Sequence, residues 1–170
     1  MSVPNKIKSY LEDSKYHFQV IEHSPTERSL ENLSTAKCPP TQLAKVLVFE
    51  INKRKSFVIL PSDELVHLGT LKDELETGQV KMLRESDLEE YFNDCEVGAT
   101  PPFGGLYNMP IYLSSHFQKD QEMYFNGGTH TDLVRMPYQE FLIVEHPTIA
   151  NFSVPIKDFS DYREEYRRFF

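Results

Sequence analysis

Apolar positions along the chain switch repeatedly between helical spacing and strand-like alternation. Lys6 to Lys15 puts Ile7, Tyr10 and Leu11 on one face and predicts an opening helix. Tyr16 to Glu22 alternates Tyr16, Phe18 and Val20 against His17, Gln19 and Ile21, the pattern of a half-buried strand. Thr26 to Ala36 predicts a second helix through Leu30 and Leu33, stopped by Pro39 and Pro40. Leu43 to Phe49 and Phe57 to Leu60 are β-rich runs around the polar link Asn52-Lys53-Arg54-Lys55, which predicts a hairpin with a basic turn. Thr70 to Thr77 and Ser86 to Phe92 read as short helices around a strand at Val80 to Leu83, with Ser86 and Glu89 spaced as a capping box. Further strands are predicted at Ile111 to Leu113, Met123 to Phe125 and Leu133 to Met136, and Pro137 opens a helix through Val144.

After Pro147 the composition changes. Thr148 to Phe170 carries four basic, four acidic and six aromatic residues, which predicts a helical extension that packs its aromatics on the body or on a second copy. Strands interleaved with helices but lacking a regular βαβ rhythm predict an α/β (α+β) fold on a mixed sheet. The expected organisation is one domain over residues 1–147 and an extension over 148–170.

Composition narrows the function classes. At 170 residues, with 39% hydrophobic and 26% charged residues, the chain can bury a core without a metal or disulfide staple. A net charge of −8 excludes a protein that coats nucleic acid through a broad basic surface, but leaves room for a small cationic pocket gripping one RNA end. Cys38 and Cys95 form no Cys-x-x-Cys pair and are expected to be reduced thiols. No apolar stretch approaches the roughly 20 residues of a membrane span, and Met1 to Leu11 is too polar for a signal peptide. A cytoplasmic protein with no membrane partner is the expectation.

Three features carry candidate chemistry. Lys45 interrupts an apolar strand in which Leu43, Leu47 and Phe49 share its face while Ala44, Val46 and Val48 fill the other. A cation there either snorkels to solvent or is held at a pocket mouth for a phosphate or a polarised oxygen. Secondly, five of the seven glycines lie in two loops, Gly98-Ala99-Thr100-Pro101-Pro102-Phe103-Gly104-Gly105 and Asn126-Gly127-Gly128-Thr129-His130. These are either ordinary turns or places where backbone approaches a ligand. Thirdly, the six histidines show no tight ligand spacing, so no metal is expected. A Gly-x-Ser-x-Gly elbow and a phosphate-binding Gly-x-x-x-x-Gly-Lys motif are both missing, which disfavours serine hydrolases and nucleotide hydrolysis. Glu89 and Glu90 fall on a helix that looks solvated, unlike a glycosidase carboxylate pair.

An ordered set of segments resembles the YbaK/prolyl-tRNA-synthetase-associated domain family, freestanding aminoacyl-tRNA deacylases related to the editing insertion of bacterial prolyl-tRNA synthetases. The set comprises Glu22-His23-Ser24-Pro25, Gln42 to Val48, Val58-Ile59-Leu60-Pro61, Cys95 to Gly104, Met109 to Tyr112, Tyr124 to His130 and Val134-Arg135-Met136. It spans about residues 3 to 147, and its most diagnostic parts are Lys45 in its apolar strand and the Gly-x-x-x-Pro loop from Gly98 to Pro102. The resemblance implies a compact, partly barrel-like mixed sheet flanked by helices. It also implies metal-independent, cofactor-free hydrolysis of the ester joining a wrong amino acid to tRNA.

Under that resemblance Lys45 is the catalytic residue. His23, the loop Gly98, Ala99, Thr100, Pro101, Pro102 and Phe103, and Gly127, Gly128 and His130 border the substrate. The implied partner is a tRNA acceptor end carrying a small wrong amino acid, with tRNA-Pro the expected carrier, a synthetase a further partner, and the protein a monomer or weak homodimer. One position departs: family members commonly carry aspartate just after the strand equivalent to Ile111 to Leu113, where this chain has Ser114-Ser115. That departure keeps open a non-catalytic module that binds tRNA or a synthetase. A hydrolase of small free esters or amides is the third reading.

Overall fold

The computed structural model describes residues 3–23 and 38–157. The helix expected at Thr26 to Ala36 and the segment from residue 158 onward lie outside the described residues. Helix α1 (Asn5–Asp13) follows Pro4 and buries Ile7 and Leu11. Strand β1 (Gln19–Glu22) covers only the second half of the expected run, and there Val20 is exposed while Ile21 packs against Leu43 and Leu133.

The central sheet has five strands in the order β5-β2-β3-β6-β9. Strands β2 (Ala44–Ile51) and β3 (Arg54–Pro61) form the predicted hairpin, with Lys45 opposite Leu60. Asn52 and Lys53 both have positive φ, 51° and 67°, the hand that follows the right-handed twist of the flanking strands. Strand β4 (Glu64–Val66) and helix α2 (Leu68–Glu74) follow, and β5 (Val80–Met82) then pairs antiparallel with β2. After helix α3 (Gly104–Tyr107), β6 (Ile111–Ser114) joins β3 in parallel.

Strands β7 (Glu122–Asn126) and β8 (Asp132–Pro137) form a second antiparallel sheet with β1, in the order β1-β8-β7. A bridge between Leu43 and Tyr124 ties this sheet to the leading end of β2, and the Tyr124 N–H donates to the Gln42 carbonyl at 2.9 Å. Helix α4 (Tyr138–Glu145) starts after Pro137, as expected. The result is the mixed α/β architecture that the sequence predicts.

Burial follows strand parity. Ala44 and Val48 face the larger core, with Phe57, Ile59, Phe103, Phe125 and Phe141. Phe49 and Ile51, on the other face of β2, join Val58, Leu60, Leu71 and Phe152 in a second core. β3 is buried on both faces, which explains its unbroken apolar run from Phe57 to Leu60.

Two expectations need correction. Ser86 to Phe92 does not form a helix: a single 3₁₀ turn at Glu85–Asp87 stands there, opened by the Arg84 N–H donating to Asp87 Oδ2 at 3.4 Å rather than by Ser86 and Glu89. Only Leu88 and Phe92 of this segment are buried, too little apolar face to offset the cost of a short helix. The second correction concerns the extension, whose described part is strand and not helix. β9 (Thr148–Ala150) adds in parallel to β6, and β10 (Ser153–Pro155) pairs with β4. Phe152 between them is fully buried, so this piece is anchored in the second core.

Candidate active site

A cavity of about 790 Å³ opens beside β2. Its floor is apolar, with Val46 and Val48 from β2, Leu88 and Phe92. The end of β5 and the 3₁₀ turn supply Leu83, Arg84 and Glu85, and the loop over residues 95–100 supplies Glu96, Gly98 and Thr100. Its volume is that of an ordinary small-molecule cavity.

The two glycine loops are bound to one another at the cavity wall. The Glu96 N–H donates to the Gly128 carbonyl at 2.8 Å, and the Gly128 N–H returns to the Ala99 carbonyl at 2.9 Å. The His130 N–H donates to Glu96 Oε2 at 2.8 Å, while its Nε2 lies 2.6 Å from the Val97 carbonyl. A carbonyl only accepts, so that contact places a proton on Nε2. Gly98 adopts φ +80°, and a Cβ there would sit 3.1 Å from Glu85 Oε1 and 3.6 Å from His130 Cε1. Gly128 also has positive φ, +96°, and its missing Cβ makes way for Ile7 and Pro4 of the α1 region. The second loop is thus packed against α1 and braces the first.

The expected site residues therefore divide. Gly98 and Thr100 line the cavity, and His130 sits directly behind Gly98. Ala99, Pro101, Pro102 and Phe103 are buried, with the Phe103 ring edge-on to Phe125 at 5.3 Å between centroids. They hold the loop from the core side. Gly127 and Gly128 are buried as well. His23 lies at the end of β1, where its N–H donates to the Thr131 carbonyl at 2.9 Å, and it is not among the cavity-lining residues.

Lys45 is also not among them. The pleat of β2 puts it on the other face from Val46 and Val48. Its Nζ donates to the Glu64 carbonyl at 2.7 Å. Burial lowers its pKa to about 8, against the pull of Asp63 and Glu64, which favour the charged form. Around Glu64 the polar groups form a relay. His116 Nδ1 and Ser153 Oγ both donate to Glu64 Oε1 at 2.6 Å, and Ser114 Oγ contacts Ser153 Oγ at 2.7 Å. Ser114, the position where aspartate was expected, is fully buried, and β4 brings the Glu64 carboxylate to its neighbourhood instead.

Arg84 and Glu85 are cavity residues that fall between the strand expected at Val80 to Leu83 and the helix expected from Ser86, and Glu96, inside the Cys95 to Gly104 segment, carries no expected role. Cys95 lines the cavity too, but burial pushes its thiol up to about 11, which keeps it protonated and poorly nucleophilic at neutral pH. Among the described residues no three His, Cys, Asp or Glu side chains gather as a metal site, and no helix is long and apolar enough to cross a membrane.

The aminoacyl-tRNA editing domain family matches residues 23–143 of the chain. No curated protein shows a significant match. Among solved structures, a protein described as a candidate trans-editing enzyme for prolyl tRNA synthetase superposes with a TM-score of 0.78 at 22% identity, over 90% of this chain and 99% of that one. A hypothetical protein known by its crystal structure gives 0.78 at 17% identity, over 88% of this chain and 100% of that one. A candidate signal transduction protein from Marinobacter aquaeolei gives 0.71 at 12% identity, with 98% of this chain matching 36% of that one. At these identities the superpositions speak for the fold, while the family match covers well over half the sequence. The chain belongs to the aminoacyl-tRNA editing domain family.

Proposed function

We propose that this chain is a trans-editing deacylase that hydrolyses the ester joining a small wrong amino acid to a tRNA, with tRNA-Pro as the carrier and an aminoacyl-tRNA synthetase as a cytoplasmic partner. The observation that carries this reading is the cavity at the positive-φ Gly98, where a ligand can meet bare backbone. An aminoacyl ester is already activated, so the protein need only position it, direct a water and stabilise the developing oxyanion. The Ala99 amide is held by the Glu96 carbonyl at 3.0 Å. The amides of Gly98 and Thr100 are therefore the donors assigned to the ester carbonyl oxygen. A ribose hydroxyl of the substrate orients the water. The apolar floor takes the amino-acid side chain, and larger cognate residues are excluded there by sterics.

Lys45 stands at the leading end of the strand whose next residue, Val46, lines the cavity. In this reading its ammonium leaves the Glu64 carbonyl to bind the terminal phosphate or ribose of the acceptor end. No metal takes part. The test is a panel of mischarged tRNAs, alanyl-, seryl-, threonyl- and cysteinyl-tRNA, incubated with the purified protein. Hydrolysis of at least one above the spontaneous rate supports the reading, and hydrolysis of none defeats it. The engagement of Lys45 away from the cavity favours one rival, a non-catalytic module for tRNA or a synthetase. That rival predicts binding of the same tRNAs without ester cleavage.

A further inference from the structure

We propose that the Glu85 carboxylate recognises the α-ammonium of the aminoacyl group, so that the cavity selects aminoacyl esters over esters that lack the amine. This inference rests on the deacylase reading of the same site and adds a binding residue to it.

Position is the first argument. Glu85 opens the 3₁₀ turn at the cavity rim and is exposed. Its Oε1 lies 3.1 Å from the point where a Cβ of residue 98 would stand, so it rests against the bare Gly98 backbone. Charge points the same way. Arg84 is drawn aside, its Nε 3.5 Å from Asp87 Oδ2, and Glu96 accepts the His130 N–H. The Glu85 carbonyl accepts the Leu88 N–H at 3.0 Å, whereas its carboxylate has neither a hydrogen bond nor an ion pair among the described residues. An acceptor thus stands at the loop with no partner for its side chain among the described residues.

The shape of the ligand fits as well. The α-carbon of an aminoacyl ester carries an ammonium, a side chain and the ester carbonyl on three divergent bonds. The cavity is lined by Glu85, by an apolar floor of Val46, Val48 and Phe92, and by the bare Gly98 backbone. An ammonium donating to a carboxylate makes a charge-assisted bond, stronger than its neutral counterpart. An α-hydroxyacyl ester, with a hydroxyl in place of the ammonium, loses that term while keeping its size.

The closing experiment has a binding arm and a kinetic arm. The binding probes are two stable amides, 3′-alanylamino-3′-deoxyadenosine and its lactyl counterpart, titrated against the wild type, Glu85→Gln and Glu85→Asp. The wild type should bind the alanyl probe more tightly than the lactyl one. Glu85→Gln should weaken alanyl binding about tenfold, equal to ~1.4 kcal/mol, and change lactyl binding less than about twofold. Glu85→Asp, which keeps the charge, should recover part of the loss. Equal affinities for both probes in the wild type, or parallel losses for both in Glu85→Gln, overturn the inference. In the kinetic arm, alanyl-tRNA and lactyl-tRNA hydrolysis by the wild type and Glu85→Gln should show the same contrast in kcat/KM. Selective binding without any hydrolysis keeps the inference and removes the deacylase reading. Hydrolysis of both esters without a Glu85 contrast does the reverse.

Discussion

The two faces of β2 treat polar groups in opposite ways. On the face of Lys45, charges and hydroxyls close on one another: the ammonium on a carbonyl, His116 and Ser153 on Glu64, Ser114 on Ser153. On the face of Val46 and Val48, polar groups stop at the rim of an apolar hollow, and the Glu85 carboxylate has no partner among the described residues. A polar residue inside a sheet is therefore not by itself a mark of a binding site. A completed network specifies structure, whereas unused acceptors beside bare backbone offer recognition.

The sharpest way to separate the two faces is to break the network. Glu64→Ala removes the acceptor of His116 and Ser153 and leaves the buried Ser153 hydroxyl with Ser114 and His116 alone, a cost of ~1–3 kcal/mol. A thermal melt should show the loss directly, and an unchanged melting temperature would mean that water or neighbours replace the carboxylate. Next in size is Gly98→Ala, where positive φ and the 3.1 Å approach to Glu85 act together. Backbone strain of ~2 kcal/mol is expected, with activity falling further for the bulkier of two accepted amino acids. Equal losses for both substrates with a large melting shift would make the loop scaffold and not pocket wall.

Lys45→Ala tests whether the closed face also serves chemistry. The variant should fold, because a desolvated cation is removed, and deacylation should drop at least about tenfold, or ~1.4 kcal/mol. Near-normal turnover in a folded variant would confine Lys45 to structure. The same residue gives a smaller effect of pH. Its folded pKa, about 8, lies below the ordinary lysine value of 10.5, so between those two the unfolded chain binds more protons. Stability conferred by this group therefore rises as pH passes from about 8 towards 10.5. Relative to Lys45→Met, the wild type should gain stability in denaturant melts as pH rises through that window, and a flat difference would contradict the burial. Least of all should change when a strong chelator is added, since deacylation is expected to proceed without metal. Loss with EDTA and recovery with zinc would send attention back to the histidines.

Legibility followed the range of the interactions. Lys45 stood out because alternation along a single strand exposes a misplaced cation, and the Gly98 loop stood out because glycine marks its own backbone. The partner of Lys45 did not, since Glu64 lies 19 positions away and reaches it only through the return of β3 into β4. Glu85 was hidden because it falls between the strand expected at Val80 to Leu83 and the helix expected from Ser86, where a 3₁₀ turn of three residues carries no periodic signal. β9 and β10 are three residues each, too short for period-two patterning to rise above the charges that follow. Their positions are set by β6 and β4, which no local pattern names.

The placement of β9 has a practical consequence for shortening the chain. Tyr112, Leu113 and Ser114 of β6 pair with Thr148, Ile149 and Ala150, just beyond the expected boundary at residue 147. A protein cut at that boundary would present β6 as a raw parallel edge and uncover the space filled by Phe152. Open edges of this kind recruit strands from other molecules. Such a fragment would be expected to self-associate and precipitate, whereas one retaining residues through 157 keeps its own edge strand. For preparing this domain, the useful endpoint is set by strand pairing and lies past the helix that closes the family match.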